Sequence, residues 1–168
     1  MSINKPALSF CIQVSCSALL IVGSLSASAS ESCSGFFEQQ HYQSALEKCT
    51  LDAKHHSLNA NFILGELYIN GLGTKKDIAK GLSYHQLATL SNNVDSELAL
   101  GKYYAQNKDY LQSHVFFSLA LDSGSLSALD FKESAEKNLS AQELTLSKGY
   151  LSVLKSAIAQ QRKQLAGN

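Results

Sequence analysis

The sequence predicts an all-α fold, a short solenoid of antiparallel helical hairpins with a long C-terminal capping helix. Three observations lead there. The first is composition: the only proline, Pro6, sits near the amino terminus, and the rest is rich in Leu, Ala, Ser and Lys with little clustering of β-branched residues, as helices prefer. The second is an internal repeat with an offset in the thirties. The third is a seven-residue recurrence of apolar side chains near the carboxyl end, Leu144, Leu151, Ile158 and Leu165, with Leu154 between, which puts one apolar stripe on a helix.

Length allows one domain. A chain of 168 residues with 45% hydrophobic content can bury one core and is short for two. Taken in order, residues 1–29 have the layout of a secretory signal peptide. Lys5 is their only charged side chain, Ala7 to Val22 are mostly apolar, and Gly23 to Ala29 are small residues ending in Ala-x-Ala, so cleavage is expected after Ala29. A membrane anchor fits less well, because Gln13 and several serines interrupt a run already short of the roughly 20 apolar residues a spanning helix needs. A lipid-anchor role for Cys16 fits worse, since most of the apolar run follows that residue. Residues 30–168 form the predicted domain, secreted or periplasmic, with no membrane span once the signal is removed.

A degenerate hairpin is expected over residues 31–56. "FFEQQHYQSALEKCTLDA" places Tyr42 and Ala45 around a short turn near Gln40 and His41. Cys33 and Cys49 each lie eight residues from His41, so an antiparallel hairpin brings them alongside each other. In an oxidising compartment a disulfide follows. It would close a hairpin that has no preceding repeat to cover its outer face.

The next unit, residues 57–92, contains "ANFILGELYINGLGTKKDIAKGLSYHQLA", and the unit after it, residues 93–124, contains "SELALGKYYAQNKDYLQSHVFFSLA". Leu64, Gly65 and Tyr68 match Leu100, Gly101 and Tyr104 at an offset of 36; beyond the turn Gly81, Tyr84, Leu87 and Ala88 match Ser113, Phe116, Leu119 and Ala120 at an offset of 32. The second copy lacks most of the Gly71–Lys75 connector. A glycine inside a helix costs ~1 kcal/mol relative to alanine, so Gly65 and Gly101 predict close helix crossings, with Tyr68 and Tyr104 beside the gap. Tyr84, Ala88, Phe116 and Ala120 complete the predicted packing set. Residues 125–168 make the cap. A further first helix starts near Ser127, and a long helix runs from Ala141 to about Gln164, opened by Ser140-Ala-Gln-Glu143 at capping-box spacing. Such a helix covers a stacking face that a solenoid otherwise leaves open.

The pattern Ala60, Leu64-Gly65, Tyr68, Gly71-x-Gly73, Asp77-x-x-Lys80, Tyr84 and Leu87-Ala88 resembles the Sel1-like repeat, a relative of the tetratricopeptide repeat. The resemblance runs from about Cys33 to Gln164, and the closing stretches Val115 to Ala128 and Asn138 to Leu144 are similar to those of small secreted bacterial members. Gly81 stands where the family prefers alanine, Asn107 replaces the first loop glycine in the second copy, and Ser91-Asn92 replaces a usual glycine. The resemblance implies a protein-interaction module, an adaptor or assembly factor. Some secreted cysteine-rich relatives are associated with β-lactam binding or hydrolysis, but they carry a cysteine pair in each repeat, and here only the first hairpin has one.

Catalytic and ligand motifs find little support. Gly71-Leu-Gly-Thr-Lys-Lys76 matches neither Gly-x-x-x-x-Gly-Lys-Ser/Thr nor a dinucleotide loop, and it follows a helix where both should follow a strand; a helix stop at Gly71 and a chain reversal at Gly73 explain it. His55 and His56 are adjacent, and His41, His85 and His114 are isolated, so no two share the helical spacing of metal ligands. His85 aligns with Phe117, as a packed ring would. No serine lies in Gly-x-Ser-x-Gly, and the Asn138-Leu-Ser140 sequon is better explained by Ser140 as helix cap. Outside the leader, 13 basic and 14 acidic residues are spread along the chain, without the basic patch nucleic acid needs. No enzyme, cofactor or metal is predicted. The expected partner is a protein or peptide of the cell envelope, bound on the exposed side of the first helices, where Asn61, Glu66, Asn70, Lys102 and Gln106 are the candidates.

Overall fold

In the computed structural model residues 32–55 and 57–166 are described. The predicted leader, with Cys11 and Cys16, lies outside them. Eight helices follow in order among the described residues: α1 (Cys33–Glu38), α2 (Tyr42–Lys54), α3 (Leu58–Asn70), α4 (Ile78–Leu90), α5 (Val94–Gln106), α6 (Tyr110–Asp122), α7 (Ala128–Glu136) and α8 (Ala141–Ala166). Each packs mainly on its neighbours in sequence, α1 on α2, α3 on α4, α5 on α6 and α6 on α7, which is the organisation of a helical solenoid.

Short polar side chains set where the helices begin. Ser32 Oγ accepts from the Gly35 amide, Asp77 Oδ1 from Lys80, Asn93 Oδ1 from Ser96 and Asp109 Oδ1 from Gln112, at 2.8–3.1 Å, so orphan amides of the first turns are satisfied. At α8, Glu143 Oε2 accepts from the Ser140 amide at 2.8 Å, and the Glu143 amide donates back to Ser140 Oγ at 3.3 Å. That reciprocal pair is a capping box.

The ends are set by left-handed residues. Gly71 closes α3 at φ 69°, ψ 35°. Its counterparts after α1, α4 and α5 are not glycines: Gln40, Asn92 and Lys108 adopt φ of 61°, 59° and 60°. The connector between α3 and α4 also has a packing role. A Cβ on Gly73 would lie 2.6–2.7 Å from the Tyr42 and Gln43 backbone, so the longer loop of this unit rests on the start of α2.

Glycine governs the crossings too. A Cβ on Gly65 would meet the His85 ring at 2.7 Å, and one on Gly101 would meet the Phe117 ring at 2.8 Å. Gly81 brings α4 still nearer to α3, because its Cβ would stand 2.5 Å from Ile69 Cγ1 and 2.9 Å from the Gly65 carbonyl oxygen. Beside these crossings the two units repeat a ring pair. Tyr68 stacks on Tyr84 with centroids 5.6 Å apart, and Tyr104 on Phe116 at 5.5 Å. Ala88 and Ala120 are fully buried at the matching positions.

The first core cluster joins Cys33, Ala45 and Cys49 to Ala60, Ile63, Leu64 and Leu67. Cys33 and Cys49 are disulfide-bonded, tying α1 to α2. Further along, α6 is buried at every position from Ser113 to Ala120, because α5, α7 and α8 all pack on it. The last helix lies along α6 and reaches back to α4, and Ile158 is its buried apolar anchor.

Candidate functional site

A groove of about 410 Å³ runs between α3 and α5. Its floor is apolar and half-buried, built from Phe62 and Ile69 of α3 and Leu98, Ala99 and Tyr103 of α5; Glu66, Asn70, Asp95, Lys102 and Gln106 rise along its walls. Helical geometry explains the set: residues 62, 66, 69 and 70 share one side of α3, and 95, 98, 99, 102, 103 and 106 one side of α5. Glu66, Asn70, Lys102 and Gln106 are thus brought together. Asn61 does not line the groove, because the five residues separating it from Glu66 turn it about 140° around the helix. It is half-buried on another side of α3.

The walls are held in place. Asn70 Nδ2 donates to Glu66 Oε2 at 3.1 Å and to the Glu66 carbonyl at 3.0 Å. Beneath Glu66 lies His85, fully buried, with Nε2 3.4 Å from Glu66 Oε1 and Nδ1 3.2 Å from Ser96 Oγ. The imidazole thus joins α4 to α5 through Ser96, whereas Nε2 lies near Glu66 with no hydrogen-bond partner among the described residues, and the ring also packs on Phe62 at 5.6 Å. On the other wall Lys102 Nζ stands 6.0 Å from the Phe131 ring centroid.

A second imidazole bridge joins the last three helices. His114 of α6, buried, has Nε2 2.9 Å from Glu136 Oε1 on α7 and Nδ1 3.0 Å from Ser147 Oγ on α8. Burial depresses the His114 pKa, partly offset by the Glu136 hydrogen bond. The Lys132 ammonium, followed by His114, holds Glu136 below its usual range. In connectivity the His114 bridge is a Ser–His–Glu line, while His85 is hydrogen-bonded to Ser96 and only stands near Glu66. Ser96 and Ser147 are fully buried, so neither hydroxyl is presented to a substrate, and the two Ser–His hydrogen bonds act as fasteners between helices.

Sequence reasoning did not find either fastener. Its one signal was the alignment of His85 with Phe117, which places the ring in the core but says nothing of its partners. It also did not single out Glu97, which is fully buried on α5. Ser123 Oγ donates to Glu97 Oε1 at 3.3 Å, Oε2 has no hydrogen-bond partner among the described residues, and burial pushes the carboxyl pKa up to about 7 despite the opposing pull of Arg162. Among the described residues no group of three or more His, Cys, Asp and Glu is placed to hold a metal ion.

No protein-family model matches the chain, and no curated protein matches it in sequence. Among solved structures, the chain is similar to a protective antigen present in uropathogenic Escherichia coli strains, whose crystal structure displays an SLR (Sel1-like repeat) fold. The two share a TM-score of 0.67 and 21% identity over 78% of this chain and 31% of that one. This chain has the Sel1-like repeat fold. It spans about a third of the antigen's length, so the likeness concerns architecture. In Sel1-like repeat terms, α3/α4 and α5/α6 are successive hairpins, α1/α2 is a hairpin stapled by a disulfide, and the groove lies between the first helices of the two central units. No described helix is long and apolar enough to cross a membrane.

Proposed function

We propose that this protein is an extracytoplasmic protein-interaction module, exported by the leader ending at Ala29, whose α3/α5 groove receives a segment of a partner protein. The groove itself carries the reading: an apolar floor bordered by polar side chains is what an interface centre and rim require. An apolar side chain of the partner suits the floor of Phe62, Ile69 and Leu98, a basic one suits Glu66 and Asp95, and the amides of Asn70 and Gln106 suit a polypeptide backbone. The Cys33–Cys49 disulfide supports the compartment, since such bonds persist in oxidising spaces. An adaptor or assembly role in the envelope follows by analogy with the fold.

In-cell crosslinking followed by affinity purification identifies the partner and tests the groove. Alanine at Glu66, Asn70, Lys102 and Gln106 together should abolish capture while leaving the helical circular dichroism unchanged; capture that survives all four places the interface elsewhere. A chromogenic lactam assay separates this reading from a hydrolytic one, and no turnover is expected because Ser96 and Ser147 are sealed from solvent.

A further inference from the structure

His85 is more polar than its packing requires. Its ring fills the slot over Gly65, where a Cβ would lie 2.7 Å away, as the Phe117 ring fills the slot over Gly101 at 2.8 Å; at the matching place in the next unit a hydrocarbon ring suffices. Ser96, whose Oγ lies 3.2 Å from His85 Nδ1, likewise stands where the preceding unit has Ala60, and all four side chains are buried. Here a polar pair replaces an apolar one in a sealed core, which is destabilising unless every polar atom is satisfied. One is not, because His85 Nε2 has no hydrogen-bond partner among the described residues.

The orphan nitrogen lies beneath the groove wall. Glu66 Oε1 stands 3.4 Å from it, while Oε2 of the same carboxylate accepts from Asn70 at 3.1 Å. Glu66 is the charged group placed to pair with the ring. Among charged groups on the elements packed against α4, Asp95 of α5 stands on the groove wall, Glu97 of α5 is bonded to Ser123, Lys155 of α8 is paired with Asp122 and Arg162 of α8 acts on Glu97; Lys80 of α4 itself donates to the Tyr68 hydroxyl. With a neutral ring the groove offers two carboxylates, Glu66 and Asp95, against one ammonium, Lys102. With a protonated ring both nitrogens donate, and Glu66 is the acceptor at hand for Nε2–H. Its charge is then countered from below, and the groove loses its acidic excess.

We propose that the groove takes a cationic side chain of its partner at Glu66 and Asp95, and that His85 is the positioning residue that makes this recognition depend on pH, releasing the partner on acidification. The inference rests on the groove being the partner site. It adds the charge the partner must carry, since complementary charge selects among partners, and it explains why an imidazole stands where phenylalanine would pack.

Two measurements on the intact protein test it. In nitrogen-detected NMR of the free protein, the His85 ring should take up a proton between about pH 8 and about pH 5, with a matching shift at the Glu66 carboxyl carbon. In Glu66→Gln the transition should move to lower pH by about one unit. A ring that does not titrate in that interval, or that titrates identically in Glu66→Gln, overturns the proposal. Binding is read from the backbone amides of Asn70 and Gln106 with two end-blocked probes, the peptide Leu-Lys-Leu and its analogue with norleucine for lysine. The lysine probe should bind about three- to fivefold more weakly at about pH 5.5 than at about pH 7.5, and the norleucine probe equally at both. The double variant His85→Phe, Ser96→Ala copies Phe117 and Ala60, so its circular dichroism should be unchanged; acidification should no longer weaken the lysine probe, although Glu97 and His114 are still present. If neither probe shifts the groove, the groove reading fails and the proposal with it. A lysine probe held equally at both pH values, or weakened equally in the double variant, leaves the groove reading standing and overturns the proposal alone.

Discussion

The imidazole of His85 lies directly over Gly65, so that a methyl group at residue 65 would sit 2.7 Å from Cε1 and from Nε2 of the ring. Below the groove wall, this contact sets how near α4 comes to α3.

Substitution at the two kinds of glycine should therefore have opposite signs. Gly65→Ala gains helix propensity but forces a fully buried ring to move, and a net loss of about 1–3 kcal/mol is expected. Gly149→Ala, at an exposed helical position where the added Cβ has nothing within 4 Å, should gain about 1 kcal/mol. Denaturant unfolding of both variants checks the pair; an unchanged midpoint for Gly65→Ala would remove the packing role assigned to that position.

The Cys33–Cys49 bond closes a loop with a sequence separation of 16. In the chain-entropy model such a bond contributes about 3 kcal/mol. The double variant Cys33→Ser, Cys49→Ser should lose that much, with the loss concentrated in α1 and α2 when followed by hydrogen exchange. Alkylation mass spectrometry without reductant should find both native thiols blocked.

Lys108 carries φ of 60° in the turn between α5 and α6, a conformation that costs a residue with a Cβ about 1–2 kcal/mol. Lys108→Gly should raise the unfolding midpoint by about 1 kcal/mol, less the extra entropy glycine loses on folding. Gly71→Ala, at φ 69°, should lower it by a similar amount. The reverse order would contradict the turn assignments.

Two buried groups give the pH profile opposing slopes. Burial pushes the Glu97 carboxyl up to about 7, from an ordinary value of 4.5. Between those values the folded chain holds a proton that the unfolded chain releases, so its contribution falls as pH rises from 4.5 to 7, by at most about 3 kcal/mol. For His114 burial lowers the folded pKa below the ordinary 6.5. Here the unfolded chain takes the proton first, and stability is lost as pH falls through 6.5. Glu97→Gln should stabilise the protein at pH 8 and leave a profile that declines on acidification. In His114→Gln that decline should shrink. Thermal melts across pH 4–8 decide both.

Much of the architecture was legible because repetition is a sequence property. The 36-residue offset, the helical glycines and the capping signals at Asp77 and Ser140 are all local patterns with local physical causes. The cysteine pair was legible for the same reason, as a symmetric hairpin equalises the distance of each cysteine from the turn. Glu66, Asn70, Lys102 and Gln106 could be read as one surface from helical periodicity. Asn61 departs from that surface because a face drawn over nine residues is broader than a groove between two helices.

What the sequence could not express is which distant side chains meet. Glu97 sits in the first turn of α5, where an acidic residue ordinarily faces solvent and favours the helix dipole; only tertiary packing, which brings Ser123 from later in the chain to donate to it, makes it a buried carboxyl. Likewise His85 and His114 look isolated until folding puts Glu66 and Ser96 around one and Glu136 and Ser147 around the other. The sequence by itself determined the repeating unit, its turns and its staple, since these follow from spacing and conformational preference within some thirty residues. The tertiary structure alone decided where α8 lies, which polar groups are sealed and which helical glycines are wedged against a neighbouring helix, because those depend on burial created by helices remote from one another along the chain.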